Sequence, residues 1–505
     1  MILIIDFGSQ TTHLISQRLN DLGISTQIIE PENLSTAFNE HIKGIILSGG
    51  PASVYKNHAP TISQSLFDYQ VPILGICYGW QLIAQLLGGK VSKSQSEYGL
   101  VKLQITEPEH LFLGVSPELT VIQSHGDSVI DLPSDFITTA HTDILLHAAA
   151  RHQTRPIYGL QFHPEVSHTQ QGNVILRNFA VNLCGENITN QELKIEGLIA
   201  SLKEEIKADL VIGAISGGTD STVAGTLMAK AIGKQFIPIF IDSGLMRYDA
   251  KLRVEQDLAD LWQLKPIIID ARDVFLQKLK GVIDPEQKRK VIGQLYIDLF
   301  EREMKAYQGK VKYLLQGTTY ADVVESRHGK HTALIKSHHN VGGLPAKMKL
   351  KLIEPLRHLY TNQVRALGLK LNIPRDLVFQ QPFPGPGHAV RILGEVTPEK
   401  LVKQVQADQI VVEELKKAQL YEEIFQSWSI VTNAQSTAVK GDGRFFGDVI
   451  ALRVVNSQDR MTAQWAKLPY EVLDNIAQRI VNEVPNVSRV VYDITNKPPA
   501  TMEWE

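Results

Sequence analysis

The sequence predicts an α/β protein: two doubly wound parallel sheets in succession, with a smaller α+β domain behind them. Three observations predict this. Short apolar runs without polar alternation recur between amphipathic stretches, which is how parallel strands buried on both faces read. Two of these runs end in glycine-bearing corners that open onto helix-like stretches, at residues 75–79 (GICYG) and 216–221 (SGGTDS). Around residues 382–387 (PFPGPG) the density of proline and glycine rules out both a helix interior and a central strand.

The elements follow in order. Residues 2–5 (ILII), 44–47 (GIIL) and 71–76 (VPILGI) read as strands, with helices expected over 11–22 and 81–87. The polar stretch 184–191 (CGENITNQ) reads as a linker, and a helix is expected over 192–208. A second sheet then begins with 209–215 and continues through 235–241, 266–269 and 311–315. The last domain is expected to end in a strand over 488–494 and a short tail. The chain has 505 residues, and the boundaries expected are 1–187, 188–380 and 381–505.

Composition excludes several classes. Apolar residues make up 43% and charged residues 21%, ordinary for a soluble globular protein. A net charge of -3 gives no basic footprint for nucleic acid. No apolar run approaches the roughly 18 residues of a membrane span. The start, MILIIDFGSQ, lacks a basic region and a cleavage site, so it reads as a strand rather than a signal peptide. Two cysteines, Cys77 and Cys184, cannot build a disulfide framework or a four-thiolate zinc site. A reducing, cytoplasmic setting is expected, with neither nucleic acid nor membrane as partner.

Cys77 stands between Gly75 and Gly79 at a strand-to-helix corner, the arrangement of a nucleophile elbow. The helix N-terminus favours an ionised sulfur, and the backbone N–H of Tyr78 is placed to serve an oxyanion hole. A thiolate needs a base, and the base needs an orienting acceptor. Residues 157–165 (IYGLQFHPE) offer both, His163 as base and Glu165 as its acceptor. A free cysteine alone is most often an inert buried residue, and a lone His-Pro-Glu is most often a strand-end loop. Together and in this order, the two motifs resemble the class I glutamine amidotransferases. That resemblance implies attack of Cys77 on a glutamine amide. It also implies that the loop SGGPAS at 48–53 supplies oxyanion N–H groups through Gly49 or Gly50. The segment 124–127 (SHGD) fits the same family, with His125 not the catalytic histidine.

The second corner has a strand before it and a helix after it. Its glycines leave backbone amides open to an anion, and the helix dipole adds to this. No GxxxxGK[ST] pattern occurs in the chain, so it is not a Walker loop. It resembles the SGGxDS loop of ATP pyrophosphatases, which implies ATP binding by Ser216, Gly217, Gly218, Thr219, Asp220, Ser221 and Thr222. Asp220 is then the carboxylate expected to hold Mg²⁺, which phosphates and one or two carboxylates suit. Asp242 and Gly317 follow neighbouring strands and are expected in the same pocket. The stretch 335–344 (IKSHHNVGGL) reads as a mobile loop near it. Its two adjacent histidines lack a third ligand at metal spacing, so zinc is not expected.

Further stretches, PFPGPG at 382–387, KGDGR at 440–444, MTA at 461–463 and the ending YDITNKPPATMEWE, extend the resemblance. With them, essentially the full length is similar to the glutamine-hydrolysing GMP synthases. What this implies is amination of XMP with ATP and glutamine, and a homodimer formed through the C-terminal domain. It also implies XMP binding by Lys336, Gly385, Gly387, Arg444, Lys497 and Glu503. Phosphate recognition by Arg, Lys and backbone amides is physically sensible. Pyrophosphatase loops also serve tRNA-modifying transferases, NAD synthetase and argininosuccinate synthetase. The tRNA enzymes need a basic face that this chain lacks, and NAD synthetase draws its ammonia from a different catalytic set. A nucleotide-sensing protein on a decayed scaffold is the non-enzymatic alternative, against which the intact Cys77, His163, Glu165, Ser216 and Asp220 argue. Five positions depart from the family pattern: Thr219 for Val, Gln380-Gln381 for Arg-His, His388 for Leu and Ala321 for Pro. Their expected effect is on substrate affinity, more than on reaction type.

Overall fold

The computed structural model describes residues 1–93, 96–188, 194–320, 322–323, 350–457, 462–497 and 499–505. Lys336, the stretch around it and Ala321 lie outside the described residues. The chain divides into two compact units, Met1–Glu192 and Leu193–Glu505.

The first unit is built on a nine-stranded sheet. Five strands run parallel, in the order Thr26–Ile29, Ile2–Ile5, Gly44–Leu47, Ile73–Ile76, Ile157–Leu160. The unbroken apolar runs are explained by burial on both faces. Ile2 and Ile4 point into one hydrophobic core, Leu3 and Ile5 into another, as a two-residue period requires. Helices Thr12–Asp21 and Tyr78–Leu86 cover the sheet close to where the sequence placed them. Beyond Ile157–Leu160 the sheet turns antiparallel through Ala149–His152, Phe136–His141, Glu97–Ile105 and Glu118–His125. This half was not anticipated. Its outermost strand, Glu118–His125, alternates between core and surface, so it lacks the continuous apolar signature.

The second unit holds an all-parallel five-stranded sheet, ordered Ile267–Asp270, Phe236–Asp242, Leu210–Ala214, Val311–Leu315, Lys351–Ile353. Four of these strands fall where they were expected, and the helix before them runs over Ile195–Ile206. A separate sheet follows, made from the long hairpin Gln426–Lys440 and Gly443–Asn456. Val487–Tyr492 adds to it in parallel, and Gln464–Trp465 adds in antiparallel. Helix Pro398–Lys417 packs on this sheet. It starts at Thr397, whose hydroxyl accepts from Lys400 N–H, with proline in the first turn. One hydrophobic core runs from Ile212 and Ile239 of the parallel sheet to Ile450 and Val454 of the hairpin.

Candidate active sites

Chain order in the first sheet reverses between Ile2–Ile5 and Gly44–Leu47. Ligands of doubly wound sheets bind at the carboxyl ends of strands beside such a reversal. The loop carrying Gly49 and Gly50, the Cys77 corner and the His163 segment all leave the carboxyl ends of these parallel strands.

Cys77 has φ 51° and ψ −106°. This is a positive φ outside the left-handed basin, a strained conformation for any residue with a side chain. Glycine is required on both sides. A Cβ on Gly75 would lie 2.6 Å from Trp80 N, and one on Gly79 would collide with the Leu47 carbonyl. Gly79 N–H donates to Ser48 O (3.0 Å), tying the elbow to the Gly49 loop. Tyr78 opens the helix, so its N–H has no acceptor one turn back within it. A Cβ on Gly49 would sit 3.2 Å from His163 Cε1, which places that loop against the imidazole.

His163 and Glu165 lie just beyond the end of strand Ile157–Leu160. His163 Nδ1 donates to Glu165 Oε1 (2.8 Å), which also accepts from Thr11 Oγ1 (2.7 Å). Arg18 Nε donates to the Glu165 carbonyl (3.1 Å), and Thr169 Oγ1 donates to the His163 carbonyl (2.7 Å). Burial acts to lower the His163 pKa. The Glu165 charge, the hydrogen bond to Cys77 and that to Glu165 outweigh it, so the imidazole is held well above its ordinary value. Gln161, quoted in the sequence but given no role there, donates from Nε2 to Cys77 Sγ (3.7 Å). Its Oε1 accepts from Gln81 Nε2 (3.4 Å), which settles the orientation of its amide. Thr11, Arg18 and Gln81 gave no sequence signal, because each reaches its partner across the fold. His125 is buried beside Glu97, with Nε2 3.8 Å from Oε2, and takes no part in the Cys77–His163–Glu165 line.

In the second unit, chain order reverses between Leu210–Ala214 and Val311–Leu315. The loop from Ser216 leaves the first of these strands and Gly317 follows the second. The two meet: a Cβ on Gly317 would lie 3.1 Å from Asp220 C and from Ser221 N. Helix Thr219–Ile232 starts from Gly218 with Asp220 in its first turn, so its leading N–H groups face the loop. Ser216 and Ser221 hydroxyls are 3.0 Å apart, and Gly218 N–H donates to Ser216 Oγ (3.3 Å). Thr222 is buried in the helix behind them. Asp242 ends the adjacent strand, with Lys251 at 3.8 Å and Arg272 at 3.7 Å. Thr219 uses its extra hydroxyl, donating to Leu377 O (3.3 Å) and Val378 O (3.2 Å).

The residues expected around the acceptor are only partly gathered. Gly387, at φ +65°, lies so close to the Leu245 carbonyl that no Cβ fits, and His388 N–H donates to that same carbonyl (2.7 Å). Gly385 is exposed beside them. Glu503 reaches this region by accepting from Arg391 Nη2 (3.2 Å) and Gln426 Nε2 (3.2 Å). Arg391 had no sequence signal. It is buried against Asp408 (3.4 Å) and the rings of Phe383 and Trp428. Lys497 bridges to Ala463 through its backbone. Arg444 is exposed on the hairpin. Ile392 bridges to Val431, which pairs with Ile450. The six residues from Arg444 to Ile450, at about 3.3 Å each, put Arg444 about 20 Å along the strand from that point.

Residues 3–183 match the Glutamine amidotransferase class-I family, and residues 413–504 match the GMP synthase C terminal domain. Curated relatives named "GMP synthase [glutamine-hydrolyzing]" align over 100% of this chain. Those from Nitratiruptor sp. and Clostridium perfringens are each 47% identical, with 99% of the relative covered. The one from Saccharomyces cerevisiae is 46% identical, with 98% covered. With two sites of this geometry and full-length similarity at this level, the chain belongs to the glutamine-hydrolysing GMP synthase family.

Proposed function

We propose that the chain converts XMP, ATP, glutamine and water into GMP, AMP, pyrophosphate and glutamate. The observation that carries this reading is the hydrogen-bonded line Cys77–His163–Glu165 at the strand ends of a family member. Cys77 attacks the side-chain amide carbon of glutamine. The N–H groups of Tyr78 and of Gly49 or Gly50 receive the oxyanion. His163 protonates the departing ammonia, then takes a proton from the water that cleaves the thioester. Glu165 fixes the imidazole so that Nε2 faces the sulfur.

In the second unit, ATP lies on residues 216–222 with Asp242 and Gly317. The XMP oxygen at C2 attacks the α-phosphorus, pyrophosphate leaves, and ammonia then displaces AMP. Serine hydroxyls and the Asp220 carboxylate are hard oxygen donors that fit Mg²⁺. Asp220 would hold the ion, which supplies charge neutralisation on the leaving pyrophosphate. XMP is met by Gly385, Gly387, Lys497 and Glu503, with Lys336 as a further contact; Arg444, about 20 Å along its strand from this region, would meet XMP only from the second copy of the homodimer. The segments 1–187, 188–380 and 381–505 act as glutaminase, adenylating and dimerisation domains of a cytoplasmic homodimer. No helix among the described residues is long and apolar enough to cross a membrane.

The test mixes the protein with glutamine labelled with ¹⁵N in its amide, ATP, Mg²⁺ and XMP. Labelled GMP and AMP in equal amounts are expected. Glutamate without GMP would keep the amidotransferase and reject XMP as acceptor.

A further inference from the structure

Gln380 and Gln381 stand where cationic side chains were expected from the family pattern, and both are buried, at 8% and 5% exposure. Neither is idle. Gln380 Nε2 donates to Gly217 O (3.2 Å) and to Leu377 O (3.3 Å). The Leu377 carbonyl is the one that also receives Thr219 Oγ1. Gln381 uses its whole amide. Nε2 donates to Tyr421 O (3.0 Å) and Ile424 O (3.3 Å), while Oε1 accepts from Ser427 N–H (2.8 Å) and Ser427 Oγ (2.7 Å). A primary amide has two donors and two acceptor positions, so this side chain is saturated. Its backbone carbonyl accepts from Arg247 Nη2 (2.6 Å), whose Nη1 donates to Tyr421 OH (3.1 Å).

The bond to Gly217 matters because of peptide planarity. The carbonyl of Gly217 and the N–H of Gly218 share one rigid trans unit and point in opposite directions. Gly217 has φ +77°, where glycine has little intrinsic preference to hold it. Whatever fixes the Gly217 carbonyl therefore aims the Gly218 N–H, which donates to Ser216 Oγ within the loop. Gln380 fixes it from outside the loop, and Gln381, next along the chain, fastens that segment to strand Gln426–Lys440 and the turn before it.

We propose that Gln380 is a positioning residue for the triphosphate-binding loop, and that Gln381 ties this grip to the C-terminal sheet through Tyr421, Ile424 and Ser427. The proposal rests on residues 216–222 being the ATP site. An arginine at 381 could not accept from Ser427, and a neutral histidine, with one donor and one acceptor nitrogen, could not make all four bonds, so the full set belongs to glutamine.

The experiment measures binding of α,β-methylene-ATP with Mg²⁺, and separately of XMP, to the full chain by calorimetry. Gln380→Met keeps length and removes the donor. It is expected to weaken the analogue roughly five- to tenfold, the scale of one hydrogen bond, with XMP affinity held within about twofold. Gln380→Lys restores a donor and is expected to recover most of the loss. Gln381→Met is expected to weaken the analogue in the same direction. Because it acts through Gln380, the double variant should lose no more than Gln380→Met alone. Analogue affinity unchanged in Gln380→Met would overturn the proposal. So would equal losses of analogue and XMP, or additive losses in the double variant. A wild-type chain that binds no analogue would instead overturn the assignment of the ATP site itself.

Discussion

The two candidate sites hold their chemistry in opposite ways. In the first unit the working groups are side chains locked in the interior. Glu165 is fully buried, Cys77 and His163 nearly so, and the imidazole–carboxylate pair is braced by Thr11 and Arg18. In the second, the groups proposed to face the substrate are backbone amides and hydroxyls on a loop whose Ser216 is exposed. The difference follows from what each site must do. A reactive thiol is poised before substrate arrives, so its charge partners have to be built in and kept from water. A triphosphate brings its own charge, so the protein needs an open cradle of N–H groups and an entrance.

The contrast can be broken at several points, from the largest effect down. Cys77→Ala removes the nucleophile, and glutamine hydrolysis should fall by roughly 10⁶-fold, followed as glutamate release. Glu165→Gln should cost roughly 10⁴-fold, by analogy with the third member of a catalytic triad. The pH dependence sharpens this case. In the wild type Glu165 holds the His163 pKa well above its ordinary value against the opposing effect of burial. With glutamine at 165, burial prevails and the pKa falls. The imidazolium is then lost at lower pH, and alkylation of Cys77 by iodoacetamide near neutrality should slow. Alkylation with an unchanged pH profile would contradict the built-in charge pair.

Asp220→Ala should lower XMP-dependent pyrophosphate release by roughly 10²–10³-fold, on the scale of losing one preorganised electrostatic group. Gln161→Leu removes one N–H donor to sulfur, and a loss of about tenfold in glutamine hydrolysis is expected. The smallest effect belongs to Thr219→Val. It keeps the shape, and Leu377 O still receives Gln380, so KM for ATP should change by no more than about threefold.

Both parallel sheets were legible because most of their strands are apolar runs, whereas the edge strands Thr26–Ile29 and Lys351–Ile353 carry polar residues and were not anticipated. Gly44–Leu47 was read to the residue, since burial on both faces leaves no polar position to blur the ends; Val311–Leu315 was read to the residue too, its one exposed position, Lys312, lying inside the run rather than at an end. The antiparallel half of the first sheet was not, because a one-faced strand such as Glu118–His125 mixes Thr, Gln and Ser with its apolar residues. Cys77, His163 and Glu165 were legible from local motifs, two glycines around a nucleophile and a histidine with a carboxylate two residues on. Their support was not. Thr11 meets Glu165 across 154 positions of sequence, and Gln161 meets Cys77 across 84. Arg391 was invisible for the same reason, its partners Asp408 and Glu503 coming from a helix and from the tail. The departures at Gln380 and Gln381 were visible as residues, but their meaning was not. Read as lost cations, they prove to be buried, hydrogen-bonded amides, Gln380 with a partner in the loop and Gln381 with partners in and before the C-terminal sheet.

The central claim is that Cys77 makes ammonia for a chemically separate site at residues 216–222. GMP formation by Cys77→Ala, supplied with either glutamine or ammonium chloride alongside ATP, Mg²⁺ and XMP, tests it most directly. The account predicts no GMP from glutamine and a wild-type rate from ammonium. Loss of the ammonium-driven reaction in a folded Cys77→Ala protein would contradict it.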